Sequence, residues 1–362
     1  MGTCTHMTLP EFFKNKRVLV TGHTGFKGAW LSHILLQFGA DVSGFSLPSE
    51  TVPNLYTLLS LHTEVRNHMG DVRDLENVRS VMREHEPEIV FHLAAQALVR
   101  KSYDDPMFTV STNVGGTANV LEATREVKCA RAVVIVTSDK VYTNREDGRA
   151  YKEGDALGGG DPYSASKAAA DIVAQSYATA FFNPRDFHRT HETLVGIGRA
   201  GNVIGGGDWA NDRLIPDVVR AVYQGDKVVK VRSPKSVRPW QHVLEPVYGY
   251  LLLARHLYEG NVNAARAWNF GPDASGFLSV EDIVQRSGSI LGNCAYEVIS
   301  DNNKSEARLL ALDATEANQV LEWRPQLTAD GALRRTLAWY KEYYFRGSIT
   351  EITNQQIMEF FA

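Results

Sequence analysis

The sequence predicts an α/β protein in which a doubly wound parallel sheet is followed by a smaller, mixed C-terminal domain. Apolar strand patterns alternate with helical patterns up to about residue 200, as in parallel sheets with helices on both faces. The strand patterns are almost continuously apolar, which is typical of strands buried on both sides. A glycine-rich stretch, GHTGFKG, joins the first strand to the first helix.

The predicted elements follow one another at the spacing of strand–helix–strand units. The strands are RVLVT (17–21), DVSGFS (41–46), a short strand near Val65, EIVFHLA (88–94), AVVIV (132–136) and TLVGIGR (193–199). Helical patterns cover 26–38, a segment before the fourth strand, 106–127, a segment that starts near Asp161, and an aromatic-rich tail at 330–344. Each helix can therefore return the chain to the next parallel strand.

The regular alternation ends after Arg199. Glycine-rich and polar loops, GNVIGGGDW, SPKSVRPWQHV and WNFGP, follow it. We therefore predict a dinucleotide-binding domain over 8–200 and a smaller substrate-binding domain over 201–362. We expect later segments, at about 226–258, to cross back to the first domain.

Composition excludes several classes of protein. The 362 residues have a net charge of −4, so there is no bulk basic field for nucleic acid. No apolar run approaches the roughly 20 residues that cross a bilayer, so we expect no membrane partner. Cys4, Cys129 and Cys294 have neither metal-site spacing nor an obvious pairing. We expect no metal site and, because a signal-peptide pattern is also lacking, a cytoplasmic protein.

The glycine-rich stretch predicts a Rossmann-like dinucleotide site. Gly22, Gly25 and Gly28 lie between the first strand and the first helix. Glycine is required where the backbone turns tightly and approaches a phosphate closely. The N-terminus of the helix then offers free N–H groups to a pyrophosphate. A tight strand–helix turn without a ligand is the alternative, which the order of the elements disfavours.

The choice between NAD and NADP stays open at this stage. An acid is expected about 20 residues after the glycines, where it binds the ribose hydroxyls. The sequence has Ser46 near that place, and the nearest acid is Glu50. Lys27 is either a contact for a 2′-phosphate or a solvated helix lysine. Asp71, in GDVRD, is either an adenine contact or an ordinary loop acid.

A tyrosine and a lysine one helical turn apart form a candidate catalytic pair. Tyr163 and Lys167 lie in DPYSASKAAAD on one face of a predicted helix. Tyrosine has a pKa near 10 and is a poor base at neutral pH. A nearby lysine cation and a cationic nicotinamide stabilise the phenolate and lower that pKa. The phenolate can then accept a proton from an alcohol as its hydride leaves.

A second cluster of polar residues follows the strand AVVIV. Ser138, Asp139 and Lys140 lie where this strand leaves the core, and the carboxyl ends of parallel strands are where such sheets bind ligands. Ser138 is expected beside Tyr163, bonded to the reacting hydroxyl. Simple hydride transfer does not require Asp139 or Lys140, so a second acid–base pair predicts a second proton transfer, such as loss of water. A solvated strand end is the alternative.

Together, the motifs TGHTGFKG, TSDKVY, YSASK, RAGNVIGGGDWA and RPWQHVLEP resemble those of the nucleotide-sugar 4,6-dehydratases, and among these the enzymes that act on CDP-glucose. They belong to the extended short-chain dehydrogenase/reductase superfamily, and the resemblance runs from about Arg17 to Pro272. It implies an NAD-dependent lyase that forms a 4-dehydro-6-deoxy sugar for the dideoxy sugars of bacterial O-antigen lipopolysaccharide. Dehydratases for dTDP-glucose and GDP-mannose carry Asp-Glu where this chain has Asp139 and Lys140.

The resemblance implies a role for each candidate catalytic residue. Tyr163, helped by Lys167 and Ser138, takes the proton of the 4-hydroxyl as hydride passes from carbon 4 to NAD. The new ketone acidifies carbon 5, a base removes its proton, and Asp139 protonates the departing 6-hydroxyl. The hydride then returns to carbon 6, so NAD is regenerated.

Two implied roles concern Lys140 and Asn113. Lys140 matches the carbon 5 base, but a base lysine must be neutral and an adjacent carboxylate favours its charged form. It is therefore either the base or an electrostatic stabiliser of the enolate. Asn113, in STNVGGT, matches an asparagine that helps to position the active-site lysine, and otherwise it is a polar residue near a helix N-terminus.

The predicted binding residues fall into two sets. The NAD contacts are Gly22, His23, Thr24, Gly25, Phe26, Lys27, Gly28, Ser46, Asp71, Val72, Leu93, Ala94, Ala95, Tyr163 and Lys167. The contacts to the nucleotide-sugar substrate are Gln96, Ser102, Asn202, Arg213, Leu214, Arg232, Arg238 and His242. Arg213 and Arg238 are chosen because a diphosphate needs cations.

Three other functions and the assembly state remain open. The first is a dehydratase that acts on another NDP-hexose. A nucleotide-sugar 4-epimerase or reductase would use Ser138, Tyr163 and Lys167 without Asp139. A non-catalytic dinucleotide sensor commonly lacks the tyrosine–lysine pair, so YSASK disfavours it. In the superfamily, helices that carry the matches of Asn113 and Tyr163 form a four-helix contact, which predicts a homodimer or homotetramer.

Overall fold

The computed structural model describes residues 7–145, 147–273, 276–292, 294–299 and 310–362. Cys4 lies outside the described residues. In chain order, the strands are β1 Arg17–Thr21, β2 Asp41–Ser46, β3 Arg66–Met69, β4 Ile89–His92, β5 Ala132–Val136, β6 Leu194–Ala200, β7 Val203–Ile204, β8 Val228–Val231, β9 Val237–Pro239, β10 Gln241–His242, β11 Ala267–Phe270, β12 Phe277–Ser279 and β13 Ala295–Val298. The helices are α1 Leu9–Phe13, α2 Phe26–Gln37, α3 Leu55–Leu58, α4 Leu75–His85, α5 Val99–Asp104, α6 Pro106–Val110, α7 Gly116–Val127, α8 Pro162–Ala180, α9 Leu214–Gln224, α10 Leu244–Tyr258, α11 Val280–Leu291, α12 Thr315–Val320, α13 Ala329–Tyr344 and α14 Ile349–Phe361.

The main sheet is parallel and confirms the predicted fold class. Its seven strands have the order β3-β2-β1-β4-β5-β6-β11, and each neighbouring pair is parallel. The chain proceeds outward from β1 to β2 and β3, and it then returns to place β4 on the other side of β1. The crevice beyond the carboxyl ends of β1 and β4 is therefore the expected ligand site.

Two hydrophobic layers cover the faces of the sheet. In β1, Val18 and Val20 point into a core shared with α2 and α10, and Leu19 points into a core shared with α4 and α7. The alternation follows from the two-residue period of a strand. It explains why both faces of the strand need apolar residues. All residues of β5 and β6 are buried.

The predicted helix over 106–127 is present, with a local change of winding. It consists of α6, one π-helical segment at Ser111–Gly115, and α7. Asn113 lies in the π segment. Such segments occur frequently at functional sites, because they redirect side chains relative to a regular α-helix.

In the segment predicted to form the smaller domain, the described residues include short two-stranded sheets and the helices α9, α11 and α13. The pairs are β7 with β10, β8 with β13, and β9 with β12. Of the segment expected to cross back, α10 packs on β5 and β6, whereas β8 to β10 pair within the smaller domain. The interpretation of WNFGP as a loop was wrong in part, because β11 pairs with β6 at the edge of the main sheet.

Two properties of the described part of the chain bear on its partners. None of its helices combines the length and the apolar character that crossing a membrane requires. Within the same ranges, His, Cys, Asp and Glu side chains form no group of three or more that could hold a metal ion.

Candidate active site

The glycine-rich loop forms a close-packed cradle at the carboxyl end of β1. Gly22 has a φ of +78°, and a Cβ there would lie 2.7 Å from the Ala94 nitrogen. A Cβ on Gly28 would lie 2.0 Å from the Gly22 carbonyl oxygen. Gly25 precedes α2 without a side-chain cap, so the first N–H groups of the helix have no side chain bonded to them. The cradle therefore fits a pyrophosphate.

Two predicted cofactor residues of this loop are bonded within the protein. The His23 ring is fully buried, and its Nε2 lies 2.7 Å from Asn67 Oδ1. Burial lowers the pKa of His23 to about 4, so the ring is neutral at physiological pH. The Thr24 hydroxyl lies 2.8 Å from the Ser46 hydroxyl, and it donates to the Leu47 carbonyl. The prediction that the His23 side chain contacts the cofactor is thus unsupported, because its ring faces the interior.

The remaining predicted cofactor residues lie along the same sheet edge. Asp71 follows β3 and accepts hydrogen bonds from the Arg73 guanidinium at 2.9 and 2.6 Å, which hold the pKa of Asp71 below its ordinary value. The Val72 side chain packs where a Cβ on Gly116 would lie. Residues Leu93, Ala94 and Ala95 follow β4 directly.

Lys27 lies at the catalytic end of the crevice. It occupies the first turn of α2 and is half-buried. Burial, together with the charges of Arg213 and Lys167, lowers the pKa of Lys27 to about 7, and Asp139 opposes this shift. The interactions of Lys27 with these residues place it near the catalytic cluster, whereas Ser46, the last residue of β2, lies at the position expected for the ribose contact.

The end of β5 brings the two predicted catalytic clusters together. The Ser138 hydroxyl donates to Asp139 Oδ1 at 3.0 Å and accepts from the Lys140 backbone N–H at 3.2 Å. Lys167 Nζ donates to the Val136 carbonyl at 3.2 Å, which ties α8 to this strand end. The Lys140 ammonium nitrogen lies 5.9 Å from the centre of the Tyr163 ring.

Burial controls the acidity of this cluster. It raises the pKa of Asp139 above its ordinary value, although the charge of Lys140 and the bond from Ser138 oppose the shift. It also raises the pKa of Tyr163, which a hydrogen bond with Ser138 and the charge of Arg213 counteract. Burial lowers the pKa of Lys167 to about 8. A buried acid with a raised pKa is suited to donate a proton.

The helix that carries Tyr163 begins at a capped turn. The Asp161 carboxylate accepts from the Ser164 backbone N–H at 3.0 Å and from the Ser164 hydroxyl at 2.6 Å. Pro162 occupies the first helical position, where its missing N–H costs nothing. Asp161 is not among the predicted site residues, although an acid before a proline at a helix start is a recognisable signal of a helix N-terminus.

Asn113 positions the α8 helix and the loop after β4. Its Oδ1 accepts from the Gln96 N–H at 2.8 Å, and its Nδ2 donates to the Gln96 carbonyl and to the Ser166 hydroxyl. Ser166 in turn donates to the Tyr163 carbonyl at 2.7 Å. Asn113 therefore acts on the helix of the catalytic pair through Ser166, and its side-chain bonds do not include Lys167.

Three predicted substrate contacts are corrected by the structure. The Gln96 amide is bonded to Leu98 and Thr109 within its own loop. Ser102 is fully buried and accepts from the Tyr163 N–H at 3.1 Å. His242 is fully buried, and burial lowers its pKa to about 3. Their side chains support the site from within, because none is free to face a ligand.

The other predicted substrate contacts remain at the rim of the crevice. The Arg213 side chain is about one-third exposed, and its Nη1 lies 3.0 Å from Asp208 Oδ2. Arg238 donates to the Val237 carbonyl, and its charge acts on Asp139. The remaining three are Arg232, which pairs with Asp212; Asn202, whose carbonyl accepts from Gln241; and Leu214, which starts α9.

Comparison with known proteins agrees with this geometry. Residues 19–336 match the GDP-mannose 4,6-dehydratase family. The chain is 46% identical over 334 residues to CDP-glucose 4,6-dehydratase of Salmonella typhimurium, a match that covers 92% of each chain.

The chain belongs to the GDP-mannose 4,6-dehydratase family.

Three further proteins that the chain resembles have lower sequence identities. The dTDP-glucose 4,6-dehydratase of Streptomyces griseus is 29% identical, over 90% of this chain and 94% of that one. The solved dTDP-glucose 4,6-dehydratase of Streptomyces venezuelae, with NAD bound, is 26% identical with a TM-score of 0.75, over 91% of this chain and 98% of that one. UDP-glucose 4-epimerase of Brucella ovis, at 22% identity and a TM-score of 0.74, covers 89% and 97% and shares the fold.

Proposed function

We propose that the protein is an NAD-dependent dehydratase that converts CDP-glucose to CDP-4-dehydro-6-deoxyglucose and water. One observation carries this proposal: Asp139, a buried acid, shares the end of β5 with Ser138, next to the Tyr163–Lys167 pair. A reductase or epimerase has no step that requires this acid. The similarity to a CDP-glucose 4,6-dehydratase supports the choice of substrate.

The cradle around Gly22 and Gly28 would hold the NAD pyrophosphate. Bound there, NAD would supply the acceptor for the hydride of carbon 4 and the source of the hydride that carbon 6 receives. Of the two nicotinamide cofactors, NAD is favoured because the ribose position carries no cation, and Lys27 lies at the other end of the crevice.

The proton transfers are divided among the residues at the end of β5. Tyr163 takes the proton of the 4-hydroxyl, Ser138 bonds that hydroxyl, and Lys167 stabilises the phenolate. The ketone at carbon 4 then makes the carbon 5 proton acidic. Lys140 removes that proton or stabilises the enolate, and Asp139 protonates the 6-hydroxyl, which leaves as water. When hydride returns to carbon 6, carbon 5 regains a proton and the ketone at carbon 4 is retained. Tyr163 then releases its proton to solvent and Asp139 regains one, which restores both residues for the next turnover.

The cations at the rim would bind the substrate diphosphate. Arg213 and Arg238 are suited to this role, since their charges already act on Tyr163 and Asp139. Asn202 would bond the sugar or a phosphate, Arg232 would add charge, and Leu214 would contact the flat base. Guanidinium groups bind phosphate oxygens through paired, charge-assisted hydrogen bonds.

The cellular context follows from the proposed product. A 4-dehydro-6-deoxy sugar nucleotide is a precursor for dideoxy sugars of O-antigen lipopolysaccharide. Cys129 and Cys294 are both free thiols, which supports a reducing compartment such as the cytoplasm. Exposed apolar side chains on α6 and α8 support a homodimer or homotetramer.

The test is incubation with CDP-, dTDP-, UDP- and GDP-glucose in the presence of NAD, with products identified by mass spectrometry. We expect a 4-keto-6-deoxy product from CDP-glucose, with catalytic amounts of NAD sufficient and no net NADH. An isomerised sugar would instead indicate an epimerase, and NADH formed in proportion to product a simple dehydrogenase. NAD binding without turnover of any sugar would indicate a sensor.

A further inference from the structure

Asp171 and Arg199 form a buried ion pair beneath the candidate active site. Their side chains are 0% and 1% exposed, respectively. Arg199 Nη2 donates to Asp171 Oδ1 at 2.7 Å, and Arg199 Nε donates to Oδ2 at 2.8 Å. Burying two charges costs several kcal/mol per ion, and such pairs are often no more stabilising than apolar residues of the same size. Stability alone is therefore a weak explanation for this pair.

Further hydrogen bonds join the pair to the end of β5, to α8 and to the segment that contains Tyr142 and residue 153. Asp171 also accepts from the Thr137 hydroxyl at 3.0 Å and from the Gln175 amide at 2.7 Å. Arg199 Nη1 donates to the Tyr142 hydroxyl at 2.8 Å and to the backbone carbonyl of residue 153 at 2.9 Å. A buried network in which every member is satisfied is rigid, because any movement breaks hydrogen bonds that water cannot replace.

The network lies next to the catalytic lysine, both along α8 and at the end of β5. Asp171 lies on α8 one turn after Lys167, so both side chains are on the same face of the helix. Thr137, which bonds Asp171, lies between Val136, whose carbonyl accepts from Lys167 Nζ, and Ser138. The separation between α8 and the end of β5 is therefore fixed at the point where the proposed proton transfer occurs.

The charges around Lys167 leave a cation poorly compensated without Asp171. Among the described residues, Lys27 on α2 and His92 on β4 also interact electrostatically with Lys167, and Tyr163 lies one turn before it on α8. Burial lowers the pKa of Lys167 to about 8, and the Asp171 carboxylate opposes that shift. A neighbouring carboxylate stabilises the charged form of a lysine, which here is buried in a low-dielectric environment.

We propose that Asp171, held in place by Arg199, is a positioning residue for Lys167: its carboxylate fixes the lysine between α8 and the end of β5 and maintains it as a cation. This inference rests on the proposed function only for its catalytic consequence. The orientation and charge of Lys167 are properties of the free protein and can be measured without substrate.

The first measurement is an NMR titration of protein labelled with ¹³C at the lysine ε-carbon, with Lys167→Arg used to assign the signal. In the wild type we expect the Lys167 midpoint near pH 8. Asp171→Asn should lower it by about one unit or more, because a single opposite charge within a few ångströms changes a pKa by that amount. Gln175→Met is the matched control, since it removes one bond to the carboxylate but leaves the charge, and its midpoint should stay within a few tenths of the wild type.

A second variant covers the case in which Asp171→Asn leaves Arg199 buried without a counter-charge and does not fold. Asp171→Asn with Arg199→Gln makes the network neutral. A downward shift of the Lys167 midpoint is still expected, smaller than in the single variant because the Arg199 charge is removed as well. An unchanged midpoint in whichever variant folds, as judged by circular dichroism, would overturn the proposal and leave the pair a purely structural feature.

The catalytic consequence is read from the pH profile of single-turnover NADH formation on the enzyme. Less charge on Lys167 stabilises the Tyr163 phenolate less, so the acid limb should move to higher pH in Asp171→Asn, and the substrate KM should change little. If the wild type does not act on CDP-glucose, the proposed function fails and the titration still tests the positioning role. If the Lys167 midpoint shifts but the acid limb of the pH profile does not move, the catalytic consequence is refuted and the positioning role is retained.

Discussion

At the scale of single residues, the side chains near the end of β5 serve two different proton transfers. Ser138 bonds both the Asp139 carboxylate and the Lys140 backbone N–H, and it also bonds Tyr163. Tyr163 acts on the 4-hydroxyl and Asp139 on the 6-hydroxyl in the proposed reaction. Because the two groups act at different steps, substitutions should block the reaction at different points.

Changing Tyr163 to Phe removes the proton acceptor and preserves the packing of the ring. We expect turnover of CDP-glucose to fall at least about 100-fold, the low end for loss of a general base. Binding of NAD should persist, because the glycine cradle is untouched. Steady-state rates and a fluorescence titration with NAD measure both quantities, and turnover near that of the wild type would remove Tyr163 from the mechanism.

Asp139→Asn preserves size and hydrogen bonding but cannot deliver a proton. Since hydroxide is a poor leaving group, the 4-keto-glucose intermediate and enzyme-bound NADH should accumulate in a single turnover followed by absorbance. Dehydration at the normal rate would make Asp139 a simple strand-end residue. The absence of NADH would mean that the acid is needed for the first oxidation or for folding.

Lys140→Met tests which role this lysine has. If Lys140 is the carbon 5 base, bound NADH should still form while solvent deuterium no longer enters carbon 5, as read by mass spectrometry. Asp139→Asn is the matched comparison, because exchange at carbon 5 should persist there. Deuterium exchange at the wild-type rate in Lys140→Met would show that another group removes the proton.

At the scale of elements, a buried carboxyl joins α10 to the segment before α13. Glu245 is 1% exposed, and its Oε1 accepts from the backbone N–H groups of Gln326 and Leu327 at 2.9 and 2.6 Å. Among the described residues, Oε2 has no hydrogen-bond partner. Burial raises the pKa of Glu245 from 4.5 to about 7. The protonated form is therefore favoured by folding.

This shift predicts how stability depends on pH. The folded protein binds the Glu245 proton more tightly than the unfolded chain does, so the stabilisation is fully present below about pH 4.5 and is lost as the pH rises through about 7. Glu245→Gln stays neutral and retains an oxygen acceptor. We therefore expect the unfolding free energy of the variant, relative to the wild type, to increase by roughly 1–3 kcal/mol between pH 5 and pH 8.

Denaturant unfolding at several pH values measures this difference. Glu259→Gln, an exposed substitution at the end of the same helix, is the control and should show no such trend. A constant difference between Glu245→Gln and the wild type across the pH range would contradict the prediction.

At the scale of the whole molecule, one outer face of the main domain carries exposed apolar side chains. Met107 and Val110 on α6 are 73% and 41% exposed, and Ile172 on α8 is 53% exposed. The helices α6 and α8 pack against each other, so these residues lie on neighbouring elements. Exposed apolar groups on adjacent helices are suited to an interface between two copies of the chain.

Ile172→Glu places a charge in this face and should convert the assembly to monomers, measured by light scattering after size-exclusion chromatography. Met358→Glu on α14, where the native residue is 64% exposed, is the matched control and should leave the mass unchanged. A monomeric wild type, or an unchanged mass for Ile172→Glu, would contradict an interface through α6 and α8.

The sequence by itself determined the sheet, the glycine cradle and the residue types of the catalytic cluster. These features depend on local patterns: the two-residue period of buried strands, glycine where φ is positive, and a helix that presents Tyr163 and Lys167 one turn apart. Such patterns constrain backbone and burial without knowledge of the rest of the fold. The expectation that the end of β5 and the start of α8 meet came instead from the resemblance to the short-chain dehydrogenase/reductase superfamily.

Only the tertiary structure decided which polar side chains face the crevice. Ser102 and His242 have residue types that bind nucleotides, yet both are fully buried. Lys27 faces the catalytic end of the crevice, and Asp171 meets Arg199, 28 positions away. These outcomes depend on how distant segments pack against one another, and packing sets the burial and the partners of each side chain. A local sequence pattern specifies neither the burial of a side chain nor its hydrogen-bond partners.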